Sequence, residues 1–219
     1  MATITLNPTV SGAPTSNGAS DNWAAHHNLA TATAISLTGG DSVNTALIEA
    51  STTTNEFTGI ARGAFIFNLA TLGVGATINS ATFKFWVTGK TDQLGGSGAI
   101  ALCNFTPASY STIATTDFTD GVEMGTTIQA TNLTIAGLTT GALNTWTLNA
   151  AGLANLTTQS GLSIGFALRV ERDRANTAPT WGSGELSRIY GSIGSNGTYQ
   201  PELYIDYTPL PSSSMFLMF

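Results

Sequence analysis

The sequence predicts an all-β domain, an antiparallel β-sandwich, and three observations carry that reading. Short apolar runs alternate with period two, clusters of turn-forming residues separate them, and long helical periodicity is lacking. The composition agrees. Of 219 residues 42% are hydrophobic and only 9% charged, against roughly 25% charged in ordinary soluble domains. A chain rich in Gly and Ser invites a disordered reading, but disorder goes with few apolar residues and high net charge. Here the net charge is −6 and the apolar share suits a packed core. A chain of this length buries enough surface to fold without disulfides. Its single Cys103 leaves no intrachain disulfide framework and no multi-cysteine zinc site.

The elements follow in order. Residues 1–20 carry Pro8, Gly12, Pro14 and Gly18 among Thr, Ser and Asn, and beyond a short strand at Thr3 to Leu6 they read as an extended N-terminal arm. The domain proper spans 21–208. Arg62 to Asn68 is a compact apolar run suited to a strand buried on both faces. Ala81 to Val87 alternates, with Phe83, Phe85 and Val87 on one face and Thr82, Lys84 and Trp86 on the other. Ile100 to Cys103 repeats this more briefly. Leu148 to Leu156 makes two helical turns behind an Asn149 cap. Ile164, Phe166, Leu168 and Val170 form a further ladder with Gly165, Ala167 and Arg169 opposite, and Leu203 to Tyr207 closes the domain. Turns are expected at Gly39 to Asp41, Gly95 to Gly98, Gly182 to Gly184 and Ser195 to Gly197. The C-terminal tail is 209–219.

Charge and flanks narrow the function. Seven basic residues in an acidic chain argue against nucleic acid, since phosphate binding needs clustered Lys and Arg. The first residues show neither a basic nor an apolar leader region, so no signal peptide is expected. No run reaches the roughly 18 apolar residues of a membrane span, and no membrane insertion is expected. Synthesis in a host cytoplasm followed by work outside a cell fits both facts, as for a virion protein.

Two stretches carry a resemblance. Arg62-Gly-Ala-Phe-Ile-Phe-Asn-Leu-Ala-Thr-Leu followed by Gly75-Ala-Thr-Ile-Asn-Ser-Ala-Thr-Phe-Lys-Phe-Trp-Val87 resembles the signature of DNRLRE-type domains. Trp146-Thr-Leu-Asn149, the run from Leu162 to Val170, and the closing Gln200-Pro-Glu-Leu-Tyr-Ile-Asp-Tyr207 resemble the same family, over about 21–208. The resemblance implies a jelly roll like that of carbohydrate-binding modules, on cell-surface proteins and in bacteriophage structural proteins. The name-giving Asp-Asn-Arg-Leu-Arg-Glu string is absent, and no sugar-binding residue is taken from the family.

Candidate sites come from local chemistry. In the tail, Met215, Phe216, Leu217, Met218 and Phe219 form an uncharged apolar end. Exposing such residues costs about 1.5–3 kcal/mol each, so the end reads as a docking peptide for a capsid, a tail protein or a neighbouring subunit; the alternative is folding back on its own domain. The loop after Val170 concentrates Glu171, Arg172, Asp173 and Arg174. With Trp181, Tyr190 and Tyr199, Arg172 and Asp173 are candidates for a glycan site built on aromatic stacking; the alternative is a salt-bridge cluster. His26-His27 reads as a surface or half-buried pair rather than a metal site, because neighbours on a strand point apart. Asp117, Asp120 and Glu123 read as a solvated turn, with calcium as the alternative. The Asn-x-Ser/Thr sequons at Asn104, Asn132, Asn155 and Asn196 are what so Asn- and Thr-rich a chain yields by chance.

Neither histidine lies in a nucleophile context and no phosphate loop is present, so no enzyme and no cofactor are expected. The expected role is a virion structural protein, a capsid decoration, head fibre or tail-associated jelly roll held by its terminal segments. Its expected partners are other virion proteins and copies of itself, a trimer being favoured. The other role is a carbohydrate-binding adhesin recognising a host surface glycan.

Overall fold

The computed structural model describes residues 1–37, 42–95, 98–193 and 199–210. In chain order the strands are β1 (Ala2–Leu6), β2 (Val10–Asn22), β3 (Ala34–Leu37), β4 (Val43–Ala50), β5 (Glu56–Asn68), β6 (Thr77–Asp92) and β7 (Ala99–Phe105). They continue with β8 (Met124–Ile128), β9 (Leu133–Thr134), β10 (Ala142–Thr147), β11 (Ser163–Val170), β12 (Leu186–Gly191) and β13 (Glu202–Thr208). Short α-helices interrupt them: α1 (Trp23–His27), α2 (Ala150–Thr158) and α3 (Glu171–Arg174). Among the described residues every pairing between these strands is antiparallel, in the order β1-β13-β6-β12-β4-β5-β11-β7-β8. The molecule is the expected all-β sandwich.

Two long strands organise the layers. β6 pairs with β13 and β10 over its first half and with β12 over its last residues. β5 pairs with β2 along most of its length, with β4 by its first half and with β11 by its second. The period-two face of β6 then meets β5 and β11. Phe83 packs against Phe65, Phe67 and Phe166 with ring centroids 5.3, 6.2 and 6.2 Å apart, and Trp146 of β10 lies 6.1 Å away. All five rings are fully buried. Emptying one such position costs about 3–5 kcal/mol, so this aromatic cluster is the main core.

β5 and β11 are buried on both faces. Phe65, Phe67, Phe166 and Leu168 serve the main core, while Ala64, Ile66 and Ala167 join Cys103, Ile113 and Met124 in a second cluster with Val10 and Ile35 against it. The buried-run reading holds from Arg62 to Phe67 for this reason, while Asn68 is exposed. Burial pushes the Cys103 thiol up to about 12, which makes it an inert packing group. The expected helix is α2, with the Asn149 side chain accepting from Gly152 N at 3.0 Å.

Residues 1–20 depart from the expectation of an arm. β1 is a full partner of β13, with Ile4 opposite Ile205, and β2 is the longest-running partner of β5. Proline and glycine hide this in the sequence. Pro14 falls where the β2–β5 ladder skips from Gly12↔Ala64 to Thr15↔Ala61, a gap that needs no proline N–H. Of the tail, Pro209 and Leu210 are described; Met215, Phe216, Leu217, Met218 and Phe219 lie outside the described residues, as do the turns expected at Gly39 to Asp41 and Ser195 to Gly197. No helix among the described residues is long and apolar enough to cross a membrane.

Candidate functional site

Two polar constellations stand out, one closed and one open. The closed one forms because β5 and β11 each place an arginine on the face that carries the second apolar cluster. Arg62 and Arg169 are both fully buried, and a buried charge has to be paired. Asp173, on the short helix α3 that follows β11, does this. Its carboxylate accepts from Arg62 Nε (3.0 Å) and Nη2 (2.6 Å) and from Arg169 Nε (2.8 Å). His27 stands with Nδ1 3.1 Å from Asp173 Oδ1 and Nε2 3.1 Å from Asp120 Oδ2. Arg169 Nη2 lies 2.6 Å from Asp120 Oδ1 and closes the ring of charges.

The remaining donors go to backbone. Arg62 donates to the carbonyls of His27 (3.0 Å) and Phe118 and lies 4.2 Å over the Phe118 ring; Arg169 donates to Met124 O at 3.1 Å. Trp23 covers the histidine, stacked at 5.4 Å, and its Nε1 donates to Asn176 Oδ1 at 3.1 Å. Both ring nitrogens of His27 face carboxylate oxygens, which only accept, so the imidazolium is the form that satisfies both. Burial opposes that charge, but the hydrogen bonds and charges of Asp120 and Asp173 outweigh it and raise the His27 pKa above its ordinary value. Burial likewise opposes ionisation of Asp173, yet Arg62, Arg169 and His27 hold its carboxyl well below the usual range. The side chains of Arg62, Arg169, His27 and Asp173 are each at most 1% exposed. What they do is tie α1, β5, the 118–125 segment and β11 together.

The structure corrects the expectations for the histidine pair and for the acidic turn. His26 and His27 are both buried, and α1 rather than a strand carries them. His26 Nε2 faces the Ala19 carbonyl and Nδ1 the Ser16 hydroxyl, both at 3.2 Å, so its ring bonds are taken up locally. The turn expected to be solvated is so only in part: Asp117 is 2% exposed and accepts from Ala108 N and Ala114 N at 3.1 and 2.8 Å, Asp120 joins the network and Glu123 stays partly exposed. Among the described residues no three His, Cys, Asp or Glu side chains are placed to hold a metal ion.

The five residues nominated for glycan binding do not converge. Asp173 is committed to the network. Trp181 is partly buried and donates to Ser51 O at 3.1 Å, just past the end of β4, while Tyr190 pairs with Asn44 near its start. At ~3.3 Å per strand residue they stand roughly 20 Å apart. The Tyr190 ring lies under the Arg188 guanidinium at 4.1 Å, and Tyr199 packs on Trp86 at 4.4 Å. Arg172 sits on α3, in the turn whose neighbours Glu171 and Arg174 pair at 2.8 Å. The salt-bridge alternative therefore describes this segment.

The open constellation is a groove that the sequence reading missed. Its floor is the paired start of β11 (Ile164, Gly165) and end of β7 (Asn104, Phe105). One wall is Thr127, Gln129, the α2 residues Ala151 and Asn155, and Gln159 just past the end of α2; the other is the segment from Thr106 to Tyr110. Asp117 pins that segment. A second hollow adjoins it, lined by Asn68, Gly161, Leu162 and Ser163 and sharing Tyr110 and Gln159. The hollows measure about 280 and 400 Å³, in the range of small-ligand sites. No family model matches the chain, and no curated protein matches it.

Proposed function

We propose that this chain is a virion structural protein whose jelly-roll domain recognises carbohydrate without catalysing a reaction. The amide-lined groove carries the recognition half of that reading. Sugars are bound where uncharged donors and acceptors converge beside an aromatic ring, and Asn104, Asn155 and Gln159 with Tyr110 supply that set in one concavity, Gln129 orienting Asn155. The buried ion network supports recognition over catalysis, since its titratable groups are committed to one another at almost no exposure. The virion half rests on sequence: the charge-poor composition, the resemblance to DNRLRE-type domains of phage structural proteins, and the apolar Met215 to Phe219 end as a dock. In that setting the partners are capsid or tail proteins and copies of this chain, a trimer favoured. A glycan array probed with the full chain tests recognition; silence across all glycan classes would sink it. Particles assembled with a chain lacking Met215–Phe219 test the dock, and unchanged occupancy overturns it.

A further inference from the structure

We infer that the groove binds a neutral glycan segment of at least two sugar units, one in each hollow, with Tyr110 and Gln159 at the joint. This inference rests on the carbohydrate reading above. The charge of the ligand follows from the lining: neither hollow contains an Asp, Glu, Lys, Arg or His. A uronate or sulfate held there would lose water and gain no cation. The net charge of −6 also opposes the approach of an anion.

The hydrogen-bonding capacity left in the groove matches hydroxyl groups. Gln129 Nε2 donates to Thr127 O at 3.1 Å, Asn155 Nδ2 donates to Gln129 Oε1 at 3.2 Å, and Asn104 Oδ1 accepts from Thr127 N at 3.2 Å. These contacts orient the amides and leave Asn155 Oδ1 as an acceptor, Asn104 Nδ2 as a donor and the Gln159 amide as both. A sugar hydroxyl donates and accepts, so it can use all three. Burial raises the Tyr110 phenol pKa, which keeps a donor and acceptor at the joint while the ring, 36% exposed, offers a face for sugar C–H groups.

The wall is also built in advance. A Cβ on Gly152 would stand 2.4 Å from Gln129 O, and one on Gly125 would stand 2.1 Å from Asn104 Oδ1. The two glycines let α2 seat against the strand end and let the Asn104 amide lie flat, so little ordering remains for binding to offset. The length of the ligand follows from the two hollows sharing Tyr110 and Gln159: one sugar unit fills one hollow only.

The test is titration calorimetry of the full chain with neutral hexose and N-acetylhexosamine oligomers of one to four units, and with galacturonate oligomers of the same lengths. Affinity should rise about tenfold or more from one unit to two or three. Gln159→Ala and Tyr110→Ala should each weaken neutral oligomers about five- to tenfold, with Tyr199→Ala binding as the parent does. Equal or tighter galacturonate binding, no gain with length, or binding indifferent to both groove variants overturns the groove while leaving carbohydrate recognition standing. A loss confined to Tyr199→Ala does the same. No binding of any oligomer by the parent chain overturns both readings.

Discussion

The ion network and the amide groove share strand β11, the network using its end and the groove its start, and they treat polarity in opposite ways. In the network, three cationic groups and Asp173 sit almost without water beside the partly exposed Asp120, and nearly every donor is met by an acceptor of the protein. In the groove the side chains are neutral and range from the buried Gln129 to the exposed Tyr110, and several amide atoms keep open capacity. Charge that is removed from water must be answered inside the fold, so it rigidifies and cannot also serve a ligand. Neutral amides lose less on partial burial and can wait for a partner. The charges therefore tie segments of the fold together, and open hydrogen-bonding capacity is left where charges are absent.

The sharpest way to break that comparison is Asp173→Asn, which leaves two buried guanidinium groups facing a neutral amide. Unfolding in urea should show a loss of about 3–5 kcal/mol; a loss within about 0.5 kcal/mol, the scale of a surface substitution, would show that the network is no tie.

Next in size is the pH dependence. The His27 pKa is raised in the fold, so its contribution is complete below the ordinary value of 6.5 and is lost as pH rises through the higher folded value. Asp173 and Asp120 are lowered, so their contribution is present above 3.8 and is lost as pH falls through their folded values. Stability should thus plateau in mildly acidic solution and fall on both sides, with a slope of at most about 1.4 kcal/mol per pH unit for each group. In His27→Gln the alkaline fall should vanish; a chain that kept it would place the titration elsewhere.

Smaller still is Gly152→Ala, which pushes α2 from Gln129 and should cost about 1–3 kcal/mol by overpacking while weakening neutral oligosaccharide binding. The smallest stability effect belongs to Gln159→Ala. Its unfolding free energy should stay within about 0.5 kcal/mol of the parent, even as glycan affinity falls. A large stability loss there would make the groove another part of the scaffold.

Much of the fold was legible along the chain. The alternation in Ala81 to Val87 marks the inward Phe83 and Phe85, and the Asn149 cap marks the start of α2, because period and capping are local properties. The network was legible in half. Arg62 inside an apolar run and Arg169 inside a strand ladder are charges that demand partners, and residue type and position alone make that demand visible. Which partners answer was not visible, since His27, Asp120 and Asp173 come from three separate segments. β2 was hidden for a related reason: Pro14 looks like a strand breaker until the ladder gap opposite it is known. The groove had no signal, because an Asn or Gln carries the same local pattern whether it faces bulk water or a concavity.

By itself, then, the sequence determined the class of fold, the inward face of the main strands and the neutrality of most of the surface, all of which follow from residue type and short-range spacing. Only the tertiary structure decided that Asp173 belongs to the interior rather than to a sugar site, and that Tyr110 meets Asn155 and Gln159 across a hollow. Strand pairing is long-range, and a side chain's neighbours across a sheet are set by register and closure, which the local pattern permits but does not specify.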